Sequence, residues 1–348
     1  MAIIDKPSDY FNTKLYTGNA TNPTTISGIG FQPDWVWTKL RAGGTEGHRL
    51  CDAVRGVTKD LFSNDSDAEA TNSIGLKSFN SDGYVIGNSN GYNINNGTFV
   101  SWNWKAGTTG SGTTTGAGTG KAYSYSVNTT SGFSIVTYLG NGTEDHTIPH
   151  HLGVAPKMYI VKQRDGADSW ITYHDGLGGA DKYILLNTTA VVGTSNNPWG
   201  SVVPTSSVNN LGSAGDTNGN DDSFIMYSFA DVQGYSKFGS YTGNGNANGT
   251  FVYTGFKPAY VMLKRTDAAG ERWNIKDNKR DGYNQTDPVL TADSSGVEYD
   301  DAQMDLLSNG FKIRTSAVST NASGGTYIYM AFAENPFVTS TAIPACAR

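Results

Sequence analysis

Several features that are common in other proteins are scarce in this sequence. It has only two cysteines, Cys51 and Cys346, far apart in the chain, so we expect free thiols and no disulfide framework. Lys and Arg number 25 against 31 Asp and Glu, giving a net charge of −6. That balance argues against nucleic acid as a partner, because binding phosphates needs a clustered positive surface.

Long apolar segments are missing as well. No apolar run reaches the roughly 18 residues of a membrane span, so we expect no membrane insertion. The opening residues, MAIIDKPSDYF, lack a basic stretch followed by an apolar one, and we therefore expect no signal peptide and synthesis in the cytoplasm.

What the sequence does have favours β-strands. Glycine is abundant at 43 residues, charged residues make up only 16%, and aromatic residues make up 11%, including 19 Tyr and 7 Trp. Helices need more Ala, Leu, Glu and Lys than this balance leaves room for. Aromatic side chains pack well on a pleated surface, and they are too frequent here for a disordered chain.

The chain contains three copies of one pattern. A Tyr-x-Gly-Asn element opens each copy, at Tyr16, Tyr138 and Tyr241. An apolar-x-Pro step follows, and six residues after each proline stands a lysine: Lys39, Lys162 and Lys264. Thirteen residues after each lysine stands an aspartate: Asp52, Asp175 and Asp277. Two spacings shared by three segments identify a tandem repeat.

Alternation within each copy predicts the fold class. Side chains two apart share one face of a strand, which places three pairs in equivalent inward positions: Trp35 and Trp37, Met158 and Ile160, Tyr260 and Met262. Helical periodicity is faint, with one short helical turn expected at 300–307. Short strands divided by Gly/Asn turns predict an all-β protein of three tandem β-sandwich domains, jelly-roll or lectin-like.

Composition also predicts the domain boundaries. Residues 106–121 are almost entirely Gly, Thr and Ser, which is typical of a flexible linker. The predicted units are a first repeat at 1–105, that linker, a divergent second repeat at 122–231, a third repeat at 232–337 and a tail at 338–348. We expect the first domain to move against the other two, and residues 122–348 to fold without it.

The repeated aspartates are the first candidates for chemistry. Each lies near an arginine or histidine, namely Arg55, His174 or Arg280. Acid–base catalysis needs a second group converging on the same pocket, yet no second acid recurs at a fixed spacing. We therefore interpret the aspartates as turn caps or ion-pair partners and predict no catalytic residue and no enzyme activity.

Two clusters contain metal-binding residue types. Glu144, Asp145 and His146 precede His150 and His151, but Pro149 interrupts them and their spacing matches no zinc frame. The stretch 216–222 begins like a calcium loop, yet Asp221 replaces the turn glycine and Tyr227 replaces the bidentate glutamate. We predict no metal site and no cofactor, and we leave calcium at 216–222 open.

Exposed aromatic side chains are the remaining candidates, because a flat ring can stack on a sugar. Tyr92 and Trp199 lie in polar loops and are predicted as glycan-binding residues, with core packing as the alternative for any one ring.

The motifs together resemble a known group of proteins. The segments YFNTKLYTGN, GFQPDWVWTK, Asp52 to Gly56, SDGYVIG, FVSWNWKAG and YMAFAENPFV are similar to repeat domains in virion proteins of marine bacteriophages. The resemblance covers nearly the whole chain and is specific for the first and third copies. It implies a virion component made in the host cytoplasm, such as a tail fibre, appendage or head decoration, with other virion proteins as partners. It also implies contact with host surface glycans, and no catalytic residues.

Three hypotheses remain at this point. The first is a structural virion protein, expected to form a homo-oligomer on a symmetric particle. The second is a carbohydrate-binding module without a structural role. The third is a polysaccharide depolymerase, which would need two carboxylates in one open cleft.

Overall fold

The protein is all-β in a computed structural model that describes residues 3–343. The three α-helices in that range are single turns: α1 (Asn90–Asn93), α2 (Gly215–Asn218) and α3 (Val318–Asn321). Two 3-10 turns lie at Pro7–Asp9 and Asp175–Leu177. None of these helices is long and apolar enough to cross a bilayer. Cys346 lies outside the described residues, and Cys51 is a free, buried thiol, as predicted.

The strands follow the copies in order. The first copy contains β1 (Phe11–Thr17), β2 (Thr24–Ser27), β3 (Trp35–Ala42), β4 (Arg49–Asp52), β5 (Lys59–Asp60), β6 (Ala70–Thr71), β7 (Leu76–Asn80), β8 (Gly83–Ile86) and β9 (Thr98–Trp104). The next segment contains β10 (Thr108–Thr113), β11 (Thr115–Gly116) and β12 (Ala122–Asn128).

The second copy contains β13 (Phe133–Leu139), β14 (His146–Pro149), β15 (Met158–Gln163), β16 (Ile171–His174), β17 (Lys182–Leu185), β18 (Gly193–Thr194), β19 (Val208–Leu211) and β20 (Ser223–Phe229). The third contains β21 (Ser236–Thr242), β22 (Phe251–Tyr253), β23 (Phe256–Arg265), β24 (Asn274–Asp277), β25 (Thr286–Thr291), β26 (Tyr299–Leu307), β27 (Gly310–Ile313) and β28 (Thr326–Pro336). The helical turn expected at 300–307 is wrong, because β26 pairs there with β27.

One strand order recurs in all three copies. The orders β1-β9-β3-β4, β13-β20-β15-β16 and β21-β28-β23-β24 are the same arrangement, antiparallel throughout. A second set of strands accompanies each: β2-β8-β7, β14-β19 and β22-β27-β26. In the first two copies this set is a separate sheet, whereas in the third it continues from β24 through β25 into one eight-stranded sheet.

The central strand of each copy is buried on both faces. In β3, Trp35 and Trp37 belong to one hydrophobic cluster while Val36 belongs to another. The strands β15 and β23 divide in the same way, with Tyr159 and Val261 in their own copies' clusters. A strand covered on both sides reads as a continuous apolar run, because neither face meets water.

One of these clusters is shared by all three copies. It contains the six residues predicted to be equivalent and inward-facing, which are all 0–1% exposed: Trp35, Trp37, Met158, Ile160, Tyr260 and Met262. The aromatic contacts cross between copies, since Trp35 stacks on Tyr227 at 4.4 Å and Trp104 meets Tyr260 at 5.8 Å. The predicted register is therefore confirmed. The inward-facing side chains, however, pack against the other copies.

The segment 106–121, predicted to be flexible, instead forms strands. Thr108–Thr113 form β10, which pairs antiparallel with β12, and β12 in turn pairs with β13. Gly110 and Gly112 lie against the side chains of Tyr125 and Tyr123, where a Cβ would approach the hydroxyl oxygens within 2.6 and 2.8 Å. Glycine here admits large rings on the neighbouring strand, which composition alone could not distinguish from a spacer.

The Tyr-x-Gly-Asn element holds a short helix in each copy. The Tyr241 hydroxyl donates to Thr320 O at 2.7 Å, and a Cβ at Gly243 would lie 2.3 Å from Ala322 O. The Asn244 N–H donates to Oδ1 of Asn321 at 2.9 Å. The same three contacts recur in the other copies, at Tyr16, Gly18 and Asn19 with α1 and at Tyr138, Gly140 and Asn141 with α2. This motif is structural.

Replacing the helix asparagine tests that interpretation. Asn321 is fully buried, and its amide also donates to Thr315 O and Asn246 O, both at 2.8 Å. Asn321→Ala leaves these buried groups unpaired, so we expect a loss of about 2–3 kcal/mol in the free energy of unfolding. Urea denaturation measures it. Asn335→Ala, at an exposed strand position, is the control and should stay within about 0.5 kcal/mol; equal effects would contradict the assignment.

Candidate functional site

The two predicted glycan-binding rings are not available to a ligand. Tyr92 and Trp199 are both 0% exposed. The Tyr92 hydroxyl donates to Asp60 Oδ1, and the Trp199 indole N–H donates to Lys182 O at 3.1 Å while its ring packs edge-on against Tyr159. The prediction of exposed rings is wrong because these polar loops fold back over their own copies and bury the aromatic ring that each carries.

The two metal candidates do not converge within residues 3–343, where no group of three or more His, Cys, Asp or Glu side chains is placed to hold an ion. His146 contacts the Asn141 amide, His150 contacts Thr205 O, and His151 stacks on Tyr125 at 3.8 Å. In the stretch 216–222, the Asn218 amide points inward and donates to Gly212 O.

The first repeated aspartate belongs to a network between the first and second copies. Arg55 Nε donates to Asp52 Oδ2 at 2.5 Å, and the Tyr227 hydroxyl donates to the same oxygen at 2.8 Å. Arg55 also reaches Glu69 at 3.1 Å, and Glu69 accepts two hydrogen bonds from Arg164, both at 3.0 Å. Both charges of the Asp52–Arg55 pair are fully buried, so the network joins two copies and leaves Asp52 no access to substrate.

The third and first copies are joined by the same arrangement. Arg280 Nε donates to Asp277 Oδ2 at 2.6 Å, and the Trp102 indole donates to that oxygen at 3.0 Å. Glu298 accepts from Arg280 at 3.0 Å and from Arg41 at 2.7 and 2.9 Å. Burial would raise the pKa of Asp277, but the Arg280 guanidinium and its hydrogen bonds hold it below the usual value.

The second copy departs from the repeat at this position. Strand register pairs Trp35 with Asp52 and Tyr260 with Asp277, but it pairs Met158 with His174. Asp175 lies one residue later, half exposed, in an ion pair with Lys157 at 2.9 Å. The thirteen-residue spacing in the second copy therefore does not mark the equivalent site, because the loop before β16 differs by one residue.

The junction between the second and third copies lacks every charge of this network. Backbone hydrogen bonds identify the equivalent positions. The Val192 N–H donates to Thr266 O, just as the Glu69 N–H donates to Arg164 O and the Glu298 N–H to Arg41 O. At this junction His174 takes the place of the aspartate, and Leu177 takes the place of the arginine that pairs with it. Val192 replaces the glutamate and Thr266 replaces the second arginine. Met330 stands where the other junctions have a Tyr or Trp donor. All five residues differ from their counterparts at the other two junctions.

The junction without these ion pairs contains a groove. It has a volume of about 400 Å³ and is lined by Leu177 and Val192 of the second copy and by Ser240, Thr242, Thr266 and Asp267 of the third, among others. Leu177, Val192 and Thr266 occupy the positions that Arg and Glu hold at the other two junctions. The groove therefore lies where three uncharged side chains occupy positions that hold longer, charged side chains at the other junctions. No single sequence motif predicted it.

The histidine at this junction gives the protein a predicted pH dependence. Neutral His174 suits its site, because Nε2 contacts Tyr329 O and Nδ1 accepts from Gly176 N, both at 3.0 Å. Burial lowers its pKa to about 4. Between pH 6.5 and 4, His174 binds a proton in the unfolded chain but stays neutral in the folded chain. The free energy of unfolding therefore falls as the pH falls through that window.

The variant His174→Gln isolates this contribution. The wild-type protein should lose about 1–2 kcal/mol more in unfolding free energy between pH 7 and pH 5 than the variant does. Urea denaturation at both pH values measures the difference. Equal losses would show that His174 does not titrate as its surroundings indicate.

The chain belongs to the family described as a domain of unknown function (DUF7483), whose model matches residues 6–336. A single family model thus spans all three copies, as does the shared core. No match was found among curated proteins.

Proposed function

We propose that this chain is a structural protein on the surface of a bacteriophage virion, made in the host cytoplasm and assembled as a tail fibre, appendage or head decoration. In this proposal the sheets pack as three two-layered sandwich units closed around a common core. The motif resemblance to virion repeat domains is its starting point.

The observation that carries the proposal is the shared aromatic core. Rings of all three copies are packed within one cluster, and two junctions are bound by buried ion pairs. Such interiors deform little, which suits a spacer or surface module more than an enzyme that must close on a substrate. The repeated carboxylates Asp52 and Asp277 are buried and paired with arginine, which leaves neither free to transfer a proton.

Assembly contacts are best sought on the third copy. The exposed aromatic side chains of the described residues all lie there: Phe251, Tyr253, Tyr283 and Tyr299. Exposed aromatic residues clustered in one region mark contact surfaces. We propose that this copy faces a neighbouring subunit or another virion protein in a symmetric oligomer.

Locating the chain on purified particles tests the proposal. Particles from the phage that encodes the chain should contain it at a fixed stoichiometry by mass spectrometry, and imaging should show its density on the outer surface. A protein found only in the soluble fraction of the lysate, with none on washed particles, would contradict the structural role. In that case a carbohydrate-binding module without a structural role becomes the better hypothesis.

A further inference from the structure

The groove between the second and third copies differs from the rest of the surface in a specific way. At the two other junctions the equivalent space is crossed by a bidentate arginine–glutamate pair, Arg164 with Glu69 and Arg41 with Glu298. At this junction Thr266 and Val192 replace that pair, and the volume that the long side chains would fill is open.

The lining of the groove is polar but not basic. Ser240 and Thr242 are exposed along one edge, and the Thr266 hydroxyl lies 2.8 Å from that of Thr326. Leu177 and Val192 of the second copy add apolar surface to the lining. Hydroxyl groups both donate and accept hydrogen bonds, so the edge matches a ligand that does the same.

The one ionised group in the lining is already balanced. Asp267 accepts from Arg265 Nε at 2.8 Å and from the Thr326 backbone N–H at 3.2 Å. A carboxylate has about four acceptor positions, so Asp267 keeps capacity for a ligand hydroxyl. With no uncompensated charge in the lining, an anionic or cationic ligand would gain little here.

We infer that this groove is a binding site for an uncharged sugar of a surface glycan, one or two residues in size. Hydroxyls and the Asp267 carboxylate bind the sugar hydroxyls, and Leu177 and Val192 contact an apolar sugar face. The inference deepens the proposed function and rests on it only in taking the glycan from a cell surface. Two tyrosines, Tyr241 and Tyr327, also line the groove, but both are buried. Without an exposed ring the site binds weakly, on the order of 1 mM, and many copies on one particle would supply avidity.

Rebuilding the ion pair of the other junctions provides the sharpest test. In Val192→Glu/Thr266→Arg, the backbone already has the geometry that holds the pair elsewhere, so we expect a folded protein with a filled groove. Saturation-transfer NMR on the full chain would use methyl glycosides of glucose, galactose, mannose and N-acetylglucosamine, with glucuronic acid as the charged comparison. At least one neutral glycoside should bind the wild type, and binding should disappear in the double variant.

Two further variants test whether the loss of binding comes from filling the groove. Thr109→Arg adds the same side chain at an exposed position on β10 and should leave binding unchanged. Should the double variant not fold, Asp267→Asn removes one charged acceptor and should weaken binding about tenfold.

Three results would overturn the site. The first is that no neutral glycoside binds, and the second is that binding is unchanged in the double variant or in Asp267→Asn. The third is that binding is lost only in Tyr253→Ala, which would place the site at the exposed ring beside Lys237. Because the experiment uses isolated protein, its failure leaves the location of the chain on particles untouched.

Discussion

A chain that starts at residue 106, and so lacks the first copy, will not form a compact protein. Removing that copy exposes the faces of Tyr227, Phe229 and Tyr260 that now pack on its tryptophans. It also leaves Asp277 without the Trp102 donor. We expect aggregation or a state without cooperative unfolding, measured by size-exclusion chromatography and calorimetry. The cut at 106 keeps β10 beside β12, so failure reports the lost core and not a lost edge strand.

Adding the missing part in trans provides the control. A fragment of residues 1–105 mixed with 106–348 during refolding should restore a single cooperative transition, because the contacts between them are non-covalent. A monodisperse, cooperatively unfolding 106–348 chain would instead support the independent domains that the sequence predicts and contradict a shared core.

Truncating Tyr260 to alanine should destabilise the entire chain, not one copy. Its ring is fully buried, and it lies 5.7–5.8 Å from the rings of Phe11, Trp102 and Trp104, all in the first copy. Removing a large buried ring reduces the free energy of unfolding by about 3–5 kcal/mol. We expect one transition, shifted as a whole, when fluorescence and circular dichroism are followed in urea.

The hydroxyl of the same residue offers a matched control. The Tyr260 hydroxyl is buried without a hydrogen-bond partner, so Tyr260→Phe keeps the ring packing and should leave stability unchanged or slightly raised. Two separate transitions in Tyr260→Ala, with only one of them shifted, would show that the third copy unfolds alone. A large loss of unfolding free energy in Tyr260→Phe would show that the hydroxyl has a hydrogen-bond partner in solution.

Local features were predictable from the sequence because they depend on neighbouring residues. The period of two in Trp35 to Lys39 determines which side chains share a face, and β3 has that register. The Tyr-x-Gly-Asn element was recognisable as a repeat, although the short helix it holds comes from residues about 77 positions away.

Predictions based on composition were less successful. The Gly/Thr/Ser run at 106–121 reads as a linker, yet its glycines make room for Tyr123 and Tyr125. Tyr92 and Trp199 were predicted to be exposed because their loops are polar, but a polar loop satisfies its own backbone and covers the ring beneath it. In both cases the deciding contact comes from another strand.

The sequence by itself determined three copies, their strands and the side chains that face inward, since each follows from spacing within about a hundred residues. Only the tertiary structure decided which surfaces these inward-facing side chains contact. The inward faces meet one another in a shared core. Charged networks join the copies at two junctions, while the third junction lacks this network and contains an open groove. The physical reason is that these contacts join residues as distant as Asp52 and Tyr227 or Trp102 and Asp277, 175 positions apart in each case. No local period encodes which of three similar faces a side chain will meet.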